Sequence, residues 1–90
     1  MEVKIYEQNV GDFGHTDTKY TCTVLEDMDD TSITYTTMIM CCKNSTVEAS
    51  TTKIFHYENG IRLESLLNIR RAIITHAESE LEFIEQIKSA

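Results

Sequence analysis

"IRLESLLNIRRAIITHAESELEFIEQIK" (Ile61–Lys88) decides the fold. It holds no glycine and no proline, and its apolar residues recur at helical spacing. Leu63, Leu66, Leu67, Ile69, Ile73, Ile74, Ala77, Leu81, Ile84 and Ile87 form one stripe, so the stretch predicts a long amphipathic helix. The sixty residues before it read differently. There the period is two, and threonine, the residue of half-buried pleated surfaces, clusters between Thr16 and Thr52.

Working outward toward the N-terminus, four alternating segments appear. "EVKIYEQ" (Glu2–Gln8) puts Val3 and Ile5 in one phase and reads as a first strand. "KYTCTVLE" (Lys19–Glu26) sets Tyr20, Cys22 and Val24 against Thr21, Thr23 and Leu25. "ITYTTMIMCCK" (Ile33–Lys43) is the strongest strand signal, and both of its phases turn apolar at the Met-Ile-Met-Cys-Cys end. A central strand covered on both faces at that end is the expectation. "VEASTTKIFHYE" (Val47–Glu58) makes a fourth strand, with Val47, Ala49, Phe55 and Tyr57 in phase. Ile54 falls out of phase, which predicts a bulge or a switch of faces. "ENG" (Glu58–Gly60) suits either a hairpin turn or a helix entry with Asn59 near the cap. Helix entry is preferred, because the period changes to about 3.6 right after it.

The expected fold is therefore α+β: a four-stranded, mainly antiparallel sheet with a long C-terminal helix packed on one face, in the order β-β-β-β-α. Ninety residues make a single domain, 1–90. A hydrophobic fraction of 41% and a charged fraction of 26% are ordinary for a globular chain.

The helix looks too long for such a domain. At 1.5 Å per residue it would run roughly 40 Å, against a domain diameter of roughly 30 to 35 Å. Two outcomes follow. Either it breaks at "THAE", where Thr75 and Glu78 fit a capping box, or something covers its second half. The charge order bears on the choice. Arg62, Arg70 and Arg71 come first and Glu78, Glu80, Glu82 and Glu85 come last, against the helix dipole. Two such helices laid antiparallel would put arginines opposite glutamates, so a homodimer through the C-terminal helix is the expectation.

The net charge is −7. Direct nucleic-acid binding is disfavoured, since phosphates would be repelled. An acidic surface suits a basic protein partner instead, including one that normally holds nucleic acid. Glu78, Glu82 and Glu85 recur at i, i+4 and i+7, and with Asp27, Asp29 and Asp30 they are the candidate partner-binding residues. The opposite reading is a site for a small anionic ligand or nucleotide on Arg62, Arg70, Arg71 and Lys53. No glycine-rich phosphate loop accompanies those four.

Catalytic and metal motifs are thin. "GDFG" (Gly11–Gly14) lacks every other part of a kinase. His15, His56 and His76 with Cys22, Cys41 and Cys42 show none of the paired spacings of zinc sites, and adjacent Cys41 and Cys42 face opposite ways on a strand. A cysteine nucleophile from Cys22 or Cys42 would need His56 beside it. Asp12, His15 and Asp17 share one polar loop. No membrane span of about 18 to 20 apolar residues occurs, and "MEVKIYEQ" is no signal peptide. An odd number of cysteines fits reduced thiols in the cytoplasm, and "NST" (Asn44–Thr46) is then a chance sequon. These readings converge on a small, acidic, cytoplasmic, non-enzymatic interaction protein that binds and modulates, by inhibition, another protein through a nucleic-acid-mimicking surface. Viral or accessory origin is part of that expectation, with no cofactor and no metal.

Overall fold

The computed structural model describes residues 1–10, 19–42 and 45–89. Strands β1 (Glu2–Val10), β2 (Tyr20–Met28), β3 (Ser32–Cys41) and β4 (Thr46–His56) precede one helix, α1 (Leu63–Ser89). The strands pair antiparallel in the order β1-β2-β3-β4, and α1 lies over β2 and β3. This is the α+β architecture that the change of period predicts.

Alternation sorts the two faces. Tyr20, Cys22, Val24 and Glu26 of β2 and Ile33, Tyr35, Thr37, Ile39 and Cys41 of β3 are all buried on the helix side. Leu66, Ile73, Ala77 and Leu81 meet them from α1. Two bulges adjust the outer strands. Ile5 is left out of the β1–β2 ladder, so Val3 pairs with Glu26 and Tyr6 with Val24. Glu48 is left out of the β3–β4 ladder, so Val47 pairs with Met40 while Ala49 pairs with Ile39. Val47 therefore leaves the phase of Ala49 and Phe55 and joins Ile54 on the far face of the sheet.

Turn chemistry holds the β2–β3 hairpin. The Asp29 carboxylate accepts the backbone N–H groups of Thr31 and Ser32, both at 2.8 Å. These bonds to the charged form hold its pKa below the usual carboxylate range. Tyr57 Oη donates to the Asp29 carbonyl, tying the end of β4 to the same turn. After β4 the chain reverses at Asn59 (φ 58°) and Gly60 (φ 84°), two left-handed residues in succession. The Arg62 carbonyl accepts the first helical N–H, from Leu66 at 3.0 Å. "ENG" is thus an entry to the helix, but Asn59 makes the reversal and does not cap it.

One of the two outcomes for the helix is realised, and one expectation changes. The helix is continuous, with no break at Thr75; Ser79 Oγ bonds the Thr75 carbonyl at 3.1 Å, one turn back within it. Its length is roughly 40 Å. The molecule measures 52 Å along its longest axis and has a radius of gyration of 14.9 Å, against about 12 Å for a compact chain of this size. Ile84 makes the last core contact; Phe83 beside it and Ile87 one turn beyond are 62% and 53% exposed. Nor is β3 covered on both faces. Its inner residues are buried, while Met38 and Met40 on the far face are only half-buried, because the one helix among the described residues sits on the other side.

Candidate functional site: an acidic groove beside the helix

One helix cannot cover four strands. A sheet spaces its strands about 4.8 Å apart and a helix is about 10 Å wide, so α1 shields two strands and leaves a groove on each flank. Along the β1 flank run Tyr6, Gln8, Glu78, Leu81, Glu82 and Glu85. Leu81 is buried and floors the groove, while Glu78, Glu82 and Glu85 are exposed along its helix wall. Spacings of four and three on a helix bring them to one side, as the sequence predicts. None of the three pairs with a cation among the described residues. Tyr6 forms the opposite wall, its phenol pKa raised by partial burial and by the charge of Glu78.

The second acidic set is elsewhere. α1 runs antiparallel to β2: Arg70 meets Glu26, and the Ala77 carbonyl meets Cys22. Asp27, Asp29 and Asp30 therefore sit at the end where the helix begins, and Glu78, Glu82 and Glu85 toward the end where it overhangs. The two sets do not form one surface. Asp29 is committed to its turn, Asp27 lies 3.2 Å from the Met1 amine, and Asp30 is exposed.

The four cations of the ligand reading do not assemble either. Arg70 faces the core, where Nε and Nη2 hold the Glu26 carboxylate in a two-pronged contact at 2.6 and 2.7 Å. Tyr35 Oη donates to the same carboxylate at 2.7 Å. Arg70 chiefly, with Tyr35, holds the Glu26 carboxyl below its ordinary range against the opposing effect of burial. Burial and the Glu26 charge push the Tyr35 phenol well up. Arg62 and Arg71 are exposed but nine residues apart, about half a turn out of phase, so they leave the helix on opposite sides. Lys53 is exposed on the helix side of β4, paired in register with Tyr35. With Arg70 turned inward, the arginine row expected to face glutamates across a helix–helix dimer is also lost.

The Glu26–Arg70–Tyr35 cluster is the group that the sequence reading missed. Its signal was present: Glu26 falls in phase with Tyr20, Cys22 and Val24, and Arg70 lies on the stripe between Leu66 and Ile73. Two opposite charges on two apolar faces that must meet are each other's natural partner.

The cysteine–histidine pairing considered for catalysis is not assembled. His56 pairs in register with Ser32 at one end of the sheet, whereas Cys22 sits opposite Ile39 and Cys42 follows Cys41 at the other. Cys22 is fully buried, and its thiol pKa is pushed up to about 11 by burial and by the Glu80 charge. Cys41 is buried and Cys42 exposed, as adjacent strand positions require. Among the described residues no three His, Cys, Asp or Glu side chains gather as a metal site. Asp12, His15, Asp17 and "GDFG" lie outside the described residues. No helix among the described residues is long and apolar enough to cross a membrane. Geometry thus defines a two-layer α+β protein with a carboxylate-walled groove. The chain matches no family model, none of the curated proteins compared and no solved structure.

Proposed function

We propose that this chain is a small protein-interaction module whose acidic groove receives a basic segment of another protein. The carrying observation is the convergence of Glu78, Glu82 and Glu85 on one groove with a tyrosine wall and an apolar floor. A cationic side chain entering it meets carboxylates above and the Tyr6 ring beside it, and the net charge of −7 steers it there. A row of carboxylates at helical spacing also resembles a run of phosphates, so a partner surface that grips nucleic acid fits this wall. Occupying such a surface would inhibit the partner, which makes competition with nucleic acid the natural mode of action. The alternative, a small anionic ligand held by arginines, loses its central cation to Glu26.

Affinity capture from the native host tests the reading, with the natural chain and with Glu78, Glu82 and Glu85 all changed to Lys. The triple variant should fold normally, because all three are exposed. It should lose the captured protein, and added nucleic acid should displace that protein from the natural chain. Capture of the same protein by the triple variant would rule the groove out.

A further inference from the structure

The groove on the other flank has a different character. It lies between β4 and the far half of α1 and is lined by Glu48, Ala49, Ser79, Glu80, Phe83 and Ile84. Glu80 Oε1 lies 3.0 Å from His76 Nε2 and accepts from Thr51 Oγ1 at 3.4 Å. Its second oxygen, Oε2, is shut from solvent and has no partner among the described residues. The strand beneath is an edge of the sheet, with no further strand beside it among the described residues. From Ala49 to His56 its ladder is uninterrupted, whereas the other edge strand, β1, is divided at Ile5. Lys53 stands on the helix side of this edge and makes no ion pair within its own chain among the described residues. Val47 and Ile54 stand on the far side, 47% and 56% exposed.

We propose that a second copy of this chain adds to the β4 edge, antiparallel, about a two-fold axis through Thr51. That register is set by complementarity. A two-fold contact requires each residue pair to occur twice. With Thr51 opposite Thr51, Lys53 of one copy falls opposite Ala49 of the other, beneath Glu80 and beside Glu48. Its ammonium brings a counter-charge to the carboxylates of Glu48 and Glu80. Because Glu48 is bulged out, Ile54 of one copy faces Val47 of the other, so two exposed apolar side chains cover each other on the far face. The edge N–H and C=O groups, an invitation to any passing strand, are paired. This joins two four-stranded sheets into one of eight, with both helices on one side. It leaves the acidic groove, on the β1 flank, at the two outer margins.

The full chain is tested by light scattering over a concentration series, with Lys53→Glu and with Thr51→Cys in a Cys42→Ser background. The natural chain should show the mass of two chains. Lys53→Glu should weaken the dimer by at least about tenfold, the factor set by 1.4 kcal/mol. Its circular dichroism should be unchanged. Across the axis, opposed Cα atoms stand about 4.5 to 5.5 Å apart, within disulfide reach, so Thr51→Cys should oxidise to a covalent dimer. Glu7→Cys, on the β1 edge, should not. A monomer at every concentration overturns the proposal and leaves the edge to a strand from a different protein. So does a dimer that is indifferent to Lys53→Glu, or one that crosslinks equally at Glu7→Cys.

Discussion

At the scale of the residue, the Glu26–Arg70–Tyr35 cluster fixes how α1 sits on the sheet. Glu26 is 5% exposed, so its charge is tolerable only while the guanidinium and the phenol hold it. Removing one partner strands the other. Arg70→Met should lower stability by about 3 kcal/mol, somewhat less than a fully buried pair loses, because Arg70 remains about a third exposed. Chemical denaturation measures it. The pH dependence follows from the depressed folded pKa of Glu26. The unfolded chain then takes up a proton at a higher pH, near about 4.3, than the folded chain does. The cluster's stabilisation is complete above that value and is lost as pH falls through the folded pKa. Glu26→Gln should therefore be less stable at neutrality and show a flatter acid limb below about pH 4. The thiols divide just as sharply. In the native protein Cys42 alone among the three should react with a thiol reagent, with Cys22 and Cys41 appearing only on unfolding.

At the scale of the element, α1 has a gripped half and a projecting half. Ala77 is fully buried, and its carbonyl faces the Cys22 thiol, so Ala77→Leu should cost about 1 to 3 kcal/mol by overpacking. A chain shortened to end at Ile84 keeps every core residue of the helix described and should stay within ~1 kcal/mol of the full chain in thermal unfolding. The helix and all four strands were legible because each follows one period over most of its length. What escaped the sequence was local. A bulge shifts phase at one residue; the phase of Ile54 announced one in β4, but its place at Glu48, and the irregularity at Ile5 in β1, were not legible, and they set which side Val47 and Val3 face. The fate of Asp29 was hidden too, because a turn carboxylate and a binding carboxylate look alike until the backbone N–H groups beside it are placed. Of the candidate site, the helical glutamates were legible from spacing alone, but Tyr6 and Gln8 belong to a strand some seventy residues away and nothing local announces them.

At the scale of the molecule, one helix on four strands leaves two unequal flanks, and the charges distribute accordingly. The β1 flank is carboxylate-walled, and the β4 flank is largely apolar, with the buried Glu80 Oε2 unpartnered among the described residues. Binding on the acidic flank should weaken as salt rises, since its carboxylates are exposed and screened beyond about 10 Å at 0.1 M. A salt titration of the captured complex checks this, and a salt-insensitive complex would point to an apolar contact instead. Solution scattering gives a separate check on shape. A single chain should return an elongated particle near 52 Å in its longest dimension, and association along β4 should widen it across the strands more than lengthen it.

The strand order also carries a kinetic meaning. Each strand pairs only with its neighbour in sequence, so the sheet grows by successive short loop closures, each cheap in chain entropy. Only the docking of α1 spans the chain, with Arg70 reaching back 44 residues to Glu26. Hairpin formation should therefore come early and helix docking late. Mutations at Arg70 or Ala77 should chiefly speed unfolding and leave the folding rate nearly unchanged. The element that docks last is thus the one that carries the glutamates.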